Sequence, residues 1–340
     1  MAITRANLGL ALCALLLIAL RVLAGGDRAT QLVESAAFGA FDPDQILRIS
    51  LTDPMGNVGS PLVLERNNAN SPWTVEARRG FPALSYPIET LLAAIDNLRL
   101  TDLVSEESSS HDLFGVSEGR GLELAMQSPG GDLWRFVLGG MARGAGGTRM
   151  YMRSLGESRV FAATGTGTPS LEPRSWIDPS LVDFDVTLVM QIELQVAGAS
   201  IVLRRNDNGI WRDTQKNKVA SRIAVENLIG EASGLVLTDV STMPLDPENQ
   251  GLGEDALRVI FTGDPEKADG FAPIELVLGG SESAEQRLLS GGGSRTRQYI
   301  RNAAWGQLGG ATWVGLSDGD AANAFMTHVL EILSDILADS

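Results

Sequence analysis

Two versions of one hairpin decide the fold. Residues 136–153 read FVLGGMARGAGGTRMYMR, and residues 276–301 read LVLGGSESAEQRLLSGGGSRTRQYIR. Each version has an apolar strand that ends in a glycine doublet, then a Gly-rich loop, then a strand of the pattern TR-x-Y-x-R. Alternating strands joined by such a loop are typical of a β-hairpin. Because the hairpin occurs twice, the sequence indicates an internal repeat.

The repeat extends well beyond the hairpins. Trp73 and Trp211 each begin a strand after an Asn-rich turn, at an offset of 138 residues, and Thr101 and Thr238 each follow a helical segment at an offset of 137. The offset grows to 140 at the glycine doublets and 148 at the TR-x-Y-x-R strands, so the insertions fall in loops. Each repeat reads β-β-β-α-β-β-β-β. This pattern predicts an α+β fold of two tandem repeats, each a largely antiparallel sheet with one covering helix.

The predicted domain boundaries follow from the repeat. The first α+β repeat spans residues 41–168 and the second 186–318, with a Pro-rich connector at 169–185. Residues 319–340 carry apolar side chains at helical spacing and predict a C-terminal amphipathic helix. We expect this helix to dock on the second repeat, and a helix that binds a partner is the alternative.

The N-terminal segment, residues 1–25, has the character of a targeting signal. An uncharged apolar run from Leu8 to Leu20 follows Arg5, and Arg21 comes directly after it. The length of the run suits a signal anchor or a cleaved signal peptide, and a buried helix of a cytosolic protein is the remaining alternative. In both targeting interpretations Arg5 stays inside. We therefore expect an inner-membrane location with the bulk of the chain in the periplasm.

Composition argues against several classes of function. The formal net charge is -15 and the sequence pI is about 4.6, which disfavours binding to nucleic acid or to an anionic membrane surface. Cys13 is the one cysteine, and His111 and His328 are the two histidines. A cysteine-based metal site is therefore excluded, and we expect no cofactor.

The order of motifs resembles one known family. FDPDQILRISL (41–51), YPIETLLAAIDNLRLTDLVS (86–105) and SWIDPSLVDFDVTLVMQIEL (175–194) appear in the order found in the bacterial domain of unknown function 4340 family. The resemblance covers about residues 41–316. It implies a membrane-anchored protein that is often encoded beside gliding-motility-type ABC transporter subunits. It therefore implies a non-enzymatic accessory role in such a transporter or another envelope complex, and it supplies no catalytic residues.

The TR-x-Y-x-R strands supply the candidate interaction residues. Strand alternation places their arginines and tyrosine on the face opposite Met150 and Met152. Two interpretations are open: a solvated strand face, or a face that binds a ligand or partner. The candidate residues are Arg149, Tyr151, Arg153, Arg297, Tyr299 and Arg301.

The sequence gives only weak evidence for a catalytic motif. The Gly-rich loop at 139–149 has no lysine, which excludes a P-loop. EESSSHD (106–112) places His111 beside serines without a nucleophile elbow, so we predict a polar loop. We expect no enzymatic activity, and a hydrolase that uses Asp183 and Asp185 is a third hypothesis. The main alternative to the accessory role is a periplasmic ligand-binding module for a lipid or glycan, held in a sheet groove or between the repeats.

Overall fold

The computed structural model describes residues 37–38, 41–56, 60–99, 102–131, 133–144, 147–164, 167–182, 184–264, 273–286, 293–303, 305 and 310–338. The helix expected within residues 1–25 lies outside this part of the chain. The chain divides into two compact units. The first unit contains the residues up to Trp73 together with 84–171, and the second contains 74–83 together with the residues from Glu172 onward.

The described residues form seventeen β-strands and five α-helices. The strands are β1 (Arg48–Thr52), β2 (Leu62–Glu65), β3 (Thr74–Val75), β4 (Phe81–Pro82), β5 (Leu103–Ser105), β6 (Leu122–Gln127), β7 (Leu133–Gly144), β8 (Gly147–Ser154), β9 (Val160–Thr164), β10 (Val189–Val196), β11 (Ala199–Arg205), β12 (Trp211–Asp213), β13 (Leu237–Val240), β14 (Leu257–Gly263), β15 (Ile274–Gln286), β16 (Gly293–Asn302) and β17 (Gly315–Asp318). The helices are α1 (Ser85–Asp96), α2 (His111–Phe114), α3 (Arg222–Gly234), α4 (Pro247–Gln250) and α5 (Gly319–Leu337).

Each unit contains an antiparallel sheet. The strands of the first unit run in the order β2-β1-β6-β7-β8-β9-β5, and those of the second run in the order β12-β11-β10-β14-β15-β16-β17-β13. Both sheets pair their long hairpin strands in the centre, β7 with β8 and β15 with β16. The predicted α+β class with largely antiparallel sheets is confirmed.

Each unit has one amphipathic helix, and the two helices occupy the same position in the order of elements. In the first unit α1 contacts β9 and the 3₁₀ turn Pro43–Gln45. In the second unit α3 contacts α5 and the 3₁₀ turn Val186–Leu188. Apolar residues at three- and four-residue spacing form the buried face of each helix. These residues are Ile88, Leu91, Leu92 and Ile95 in α1, and Ala224, Val225, Leu228, Ile229 and Ala232 in α3.

The C-terminal helix predicted from the sequence is present as α5. Asp318 caps it, because its carboxylate accepts hydrogen bonds from the backbone N–H groups of Asp320 and Ala321 at 3.0 and 3.4 Å. The helix packs against α3, β16 and β17 with Phe325 and Val329 fully buried. Among the helices that the structure describes, none combines the length and the apolar character that a membrane crossing requires.

Residues 74–83 form a small hairpin that is built into the second unit. Arg78 donates two hydrogen bonds to the carboxylate of Asp239, at 2.6 and 3.0 Å, and both side chains are largely buried. Phe81 lies edge-on against Trp305 and Trp313, with ring centroids 5.4 and 5.0 Å apart. The ion pair and the aromatic contacts make this segment an integral part of the second unit's core.

Candidate functional site

Strand β8 shows the alternation that the sequence predicts. Met150 and Met152 are fully buried on one side of the strand. On the other side Arg149 is exposed and Tyr151 is half-buried. The ring of Tyr151 lies 4.7 Å from that of Phe114, beside a small apolar cluster on this face of the sheet. This face is therefore only partly open to solvent.

Arg153 does not belong to an open face, because its side chain is only 2% exposed. Its Nε donates to the carbonyl of Val116 at 2.6 Å. Its Nη1 donates to the carbonyls of Ser154 and Glu157 at 3.3 and 3.2 Å, and Nη2 lies 3.4 Å from the carboxylate of Glu118. These acceptors lie within the first unit and take the hydrogen bonds that the guanidinium donates. Arg153 is therefore buried and not on a solvated strand face, and its part in an interaction face stays a prediction.

The corresponding residues of β16 make other contacts. The hydroxyl of Tyr299 donates to Glu282 Oε2 at 2.6 Å, and this hydrogen bond, with burial, raises the pKa of Tyr299 to about 12. Arg297 is half-buried and lies opposite Glu282 in the β15–β16 register. Arg301 donates from Nη2 to the carbonyl of Ala311 at 2.8 Å. The six candidate residues are thus divided between the two units, and several serve contacts within their own unit.

The glycine doublets have a packing role. Helices α2 and α4 each end at a glycine in the left-handed region, Gly115 with φ +69° and Gly251 with φ +64°. A Cβ atom built on Gly139 would overlap the carbonyl oxygen of Phe114, and the same holds at Gly279 for the end of α4. The first glycine of each doublet therefore lets a short helix lie directly on the sheet, since a side chain at Gly139 or Gly279 would displace that helix.

The segment with His111 is a short helix in place of the predicted loop. Nε2 of His111 lies 2.9 Å from the carbonyl oxygen of Ser158. The carboxylate of Asp112 accepts a hydrogen bond from the hydroxyl of Ser117, which lowers the pKa of Asp112. In a catalytic triad the histidine ring forms a hydrogen bond with the hydroxyl of the nucleophilic serine. The ring of His111 is instead beside a backbone carbonyl.

The acidic pair of the hydrolase hypothesis is only partly described. Asp183 lies outside the described residues. Asp185 caps the turn that precedes β10, because its Oδ1 accepts from the backbone N–H of Thr187 at 2.8 Å and from its hydroxyl at 2.7 Å. These hydrogen bonds lower the pKa of Asp185. In the described part of the chain no three His, Cys, Asp or Glu side chains are grouped so that they could hold a metal ion.

The second unit contains a groove of about 520 Å³. It lies between the turn Val186–Leu188, the tip of the β11–β12 hairpin and helix α3. Its volume is within the range of ~300–1,000 Å³ that is typical of small-molecule sites. Trp211, Ile229 and Val186 contribute its apolar lining, and Arg205, Asp207, Arg222 and Glu226 contribute charged groups. We call this feature the β11–α3 groove.

The hairpin tip at the β11–α3 groove is held by its own hydrogen bonds. Oδ1 of Asn206 accepts from the backbone N–H groups of Asn208 and Ile210 at 3.1 and 2.9 Å. The N–H of Gly209, a residue with φ +74°, donates to the carbonyl of Asn206 at 2.8 Å. An Asn side chain that binds the following backbone fixes a tight turn. The backbone position of Asp207 at the tip is therefore fixed by the turn itself.

The charges at the groove are balanced. Arg222 and Glu226 form an exposed ion pair of 2.7 Å along one face of α3. Arg205 donates from Nη1 to the carbonyl of Thr187 at 3.3 Å, a long hydrogen bond. Together with Asp207 these side chains supply two positive and two negative formal charges. The groove therefore offers both hydrogen-bond donors and acceptors without a strong net field.

The corresponding corner of the first unit is closed by its arginine. Arg66 donates from Nε to the carbonyl of Ile46 at 2.7 Å. Its Nη2 donates to the carbonyl of Asp44 at 2.9 Å, and its Nη1 donates to that of Ala69 at 3.0 Å. The guanidinium also lies 4.6 Å over the ring of Trp73, and burial lowers the pKa of Arg66. These contacts fasten the strand end to the turn before β1.

The β11–α3 groove was not predicted from the sequence, although the sequence contains a signal for it. Arg66 and Arg205 occupy the same place in the two turn motifs, ERNNANSPW and RRNDNGIW. Among the helix positions that line the groove, one loses its side chain: α1 has Ala93 where α3 has Gly230. A residue-by-residue comparison of the two corners shows a glycine in place of an alanine beside an arginine that both corners share.

Of three comparisons with known proteins, one gives a match. A family model described as a domain of unknown function (DUF4340) matches residues 73–252, which is more than half of the 340 residues. No curated protein matches the chain, and no solved structure matches it. The matched range contains all residues of the β11–α3 groove.

Proposed function

The chain belongs to the DUF4340 family, and from this premise we propose that the protein is a non-enzymatic accessory protein of a bacterial envelope complex. In this proposal the N-terminal helix holds the protein at the inner membrane and the two units lie in the periplasm. The partner is an ABC transporter of the gliding-motility type or another envelope protein. The observation that carries the proposal is the uncharged run Leu8–Leu20 behind Arg5.

We also propose that the two units arose by duplication of one α+β module. Three observations support this origin. The central strand orders correspond, the glycine doublets Gly139 and Gly279 each accommodate a short helix, and Trp73 and Trp211 occupy matching corners. In a duplicated protein one copy is free to keep a structural role while the other acquires a binding role. The accessory function therefore need not be shared equally by the two units.

The accessory role is tested by crosslinking the full-length protein in its own membranes at native expression. Affinity purification and mass spectrometry then identify the crosslinked proteins, and the same sample gives the mature N-terminus. We expect transporter or envelope subunits and an N-terminus that retains residues 1–25. Recovery of no envelope protein, with a chain that begins near Gly25, would overturn the tethered accessory role.

The β11–α3 groove favours a second candidate function, that of a periplasmic ligand-binding module. A half-open groove of about 520 Å³ with an apolar lining and fixed polar groups has the character of a small-molecule site. Native mass spectrometry of protein purified from its own host tests this candidate. We expect an added mass that is absent when Gly230 is replaced by Leu. An identical spectrum for both proteins, without an added mass, would overturn it.

A further inference from the structure

We propose that the β11–α3 groove binds a short neutral oligosaccharide. This inference rests on the ligand-binding candidate above and names the class of ligand. It follows from the type of polar groups at the groove, from its apolar lining and from the space beside Gly230. Each of these features lies within the second unit.

The polar groups match hydroxyls better than they match an ion. A guanidinium only donates hydrogen bonds and a carboxylate only accepts them, whereas each sugar hydroxyl does both. Arg205 retains donors beyond its single long bond to Thr187, and Asp207 is exposed at the fixed hairpin tip. The hydroxyls of a sugar ring can therefore contact both Arg205 and Asp207, which lie two residues apart on the hairpin.

The balance of charge disfavours an anionic ligand. Two arginines and two carboxylates line the groove, and Arg222 is already paired with Glu226 at 2.7 Å. The chain carries a formal net charge of -15, which repels polyanions at long range. A neutral ligand avoids this repulsion and still uses the charge-assisted hydrogen bonds of the rim.

The apolar lining disfavours a lipid and suits a sugar ring. Val186 is 38% exposed at the groove, whereas Ile229 and Trp211 are buried and contribute only small areas. An acyl chain needs a long and mostly apolar enclosure, because its CH₂ groups gain free energy only when water is excluded. A sugar ring has a narrow apolar face with hydroxyls around it. That shape fits a small apolar lining bordered by charged groups.

The absence of a side chain at Gly230 gives the ligand its space. A Cβ built on Gly230 has no heavy atom within 4 Å, although this residue lines the groove. A Cβ at this position therefore meets no neighbouring atom, and we expect a Leu side chain here to occupy the groove and to favour the helix. Gly234, on the same helix, also has open space beside it and does not line the groove. It supplies a matched control.

The test is isothermal titration calorimetry of the full chain with three neutral trisaccharides: chitotriose, cellotriose and maltotriose. We expect saturable binding of at least one of them. Gly230→Leu should weaken that binding by at least ~tenfold, which corresponds to about 1.4 kcal/mol. Gly234→Leu should leave the affinity unchanged. Thermal unfolding of both variants establishes that each is folded.

A second pair of variants tests the polar groups. Arg205→Ala should also weaken the binding by about tenfold, which is the loss of a charge-assisted hydrogen bond or two. Arg204 is its control, since it is exposed and donates to Gln191 outside the groove at 3.1 Å. Equal effects of Arg205→Ala and Arg204→Ala would overturn the proposed contact with Arg205.

The results separate this inference from the function on which it rests. If native mass spectrometry finds a ligand that depends on Gly230 but no neutral trisaccharide binds, the oligosaccharide is overturned and the ligand-binding candidate stands. Preferred binding of triglucuronate or of phosphatidylglycerol vesicles in the groove would likewise overturn the neutral sugar. If no added mass is found and no trisaccharide binds, both proposals are overturned.

Discussion

The corners around Trp73 and Trp211 share the same order of strands and turn but differ in the contacts of their arginine. Both tryptophans are almost fully buried, and both follow a polar turn and a conspicuous arginine. In the first unit Arg66 lies over Trp73 and binds surrounding carbonyls. In the second unit Arg205 makes one long hydrogen bond beside a groove of about 520 Å³.

The difference shows that a change in the contacts of one arginine separates a corner that only stabilises the fold from a candidate binding site. Each neutral-acceptor hydrogen bond of Arg66 contributes about 0.5–1.5 kcal/mol, and a cation–π contact at a partly exposed site contributes about 0.5–1 kcal/mol. An arginine that is not fastened in this way keeps its donors for another molecule. The same side chain therefore supports stability in one unit and is available for recognition in the other.

The largest expected effect comes from removal of either tryptophan. Trp73→Ala and Trp211→Ala should each lower the free energy of unfolding by about 3–5 kcal/mol, because each leaves a cavity in a packed core. Trp73→Ala should be the more damaging, since it also removes the support for Arg66. Urea unfolding of the full chain followed by circular dichroism measures both. A larger loss for Trp211→Ala would contradict the view that the first corner is the more tightly fastened.

The next effect compares the two arginines directly. Arg66→Ala should lower the free energy of unfolding by about 2–3 kcal/mol, because the partly buried carbonyls of Ile46 and Pro43 lose their donors. Arg205→Ala should cost less than about 1 kcal/mol, since it removes one long hydrogen bond. The same urea experiment applies. Equal losses would show that the second corner is as closed as the first.

A reciprocal pair of helix substitutions should have smaller effects. Gly230→Ala gives α3 the side chain that α1 has at Ala93, and it should stabilise the protein by about 0.8–1 kcal/mol through helix propensity. Ala93→Gly should destabilise it by a similar amount, since Ala93 is exposed and loses little packing. Thermal unfolding measures both shifts. A loss of stability with Gly230→Ala would mean that the space beside Gly230 is not open.

The smallest effect concerns the tyrosines of the two long hairpins. Tyr151 lies beside Phe114, whereas Tyr299 donates to Glu282, which raises the pKa of Tyr299 to about 12. Because the folded pKa lies above the usual value of 10, this contribution to stability is complete below pH 10. It is lost as the pH rises from 10 to about 12.

Absorbance at 295 nm during an alkaline titration measures this ionisation. We expect one late transition in the wild-type protein that Tyr299→Phe removes. Tyr151→Phe is the control and should retain the late transition. A late transition that survives Tyr299→Phe would show that the hydrogen bond with Glu282 does not raise this pKa.

Much of the fold follows from local patterns in the sequence. Strand alternation places Met150 and Met152 in the core, and helical spacing places Ile88 and Phe325 there, as the structure confirms. These patterns depend on residues within a few positions of one another, so a sequence without an alignment is sufficient. The glycine doublets were visible too, but their role depends on a helix more than twenty residues away in the chain.

The candidate site was harder to predict because it depends on distant contacts. The burial of Arg153 depends on the carbonyl of Val116, 37 residues earlier, and no local pattern distinguishes it from the exposed Arg149. The β11–α3 groove depends on a turn, a hairpin and a helix that meet only in the folded unit. The sequence shows that Arg153 and the groove residues are polar. It does not show which of these side chains form hydrogen bonds within the folded protein.

The hairpin at residues 74–83 has a consequence for the order of events during synthesis. Arg78 meets Asp239 across 161 residues, and the backbone carbonyl of Arg79 meets the Trp313 ring across 234. These partners leave the ribosome late, and contacts of such sequence separation form slowly. The second unit therefore cannot complete its core until the chain has been synthesised as far as Trp313. A chain that stops before Trp313 leaves Phe81 and the backbone carbonyl of Arg79 without one of their partners. We therefore expect such truncated products to be less resistant to proteolysis than the full chain.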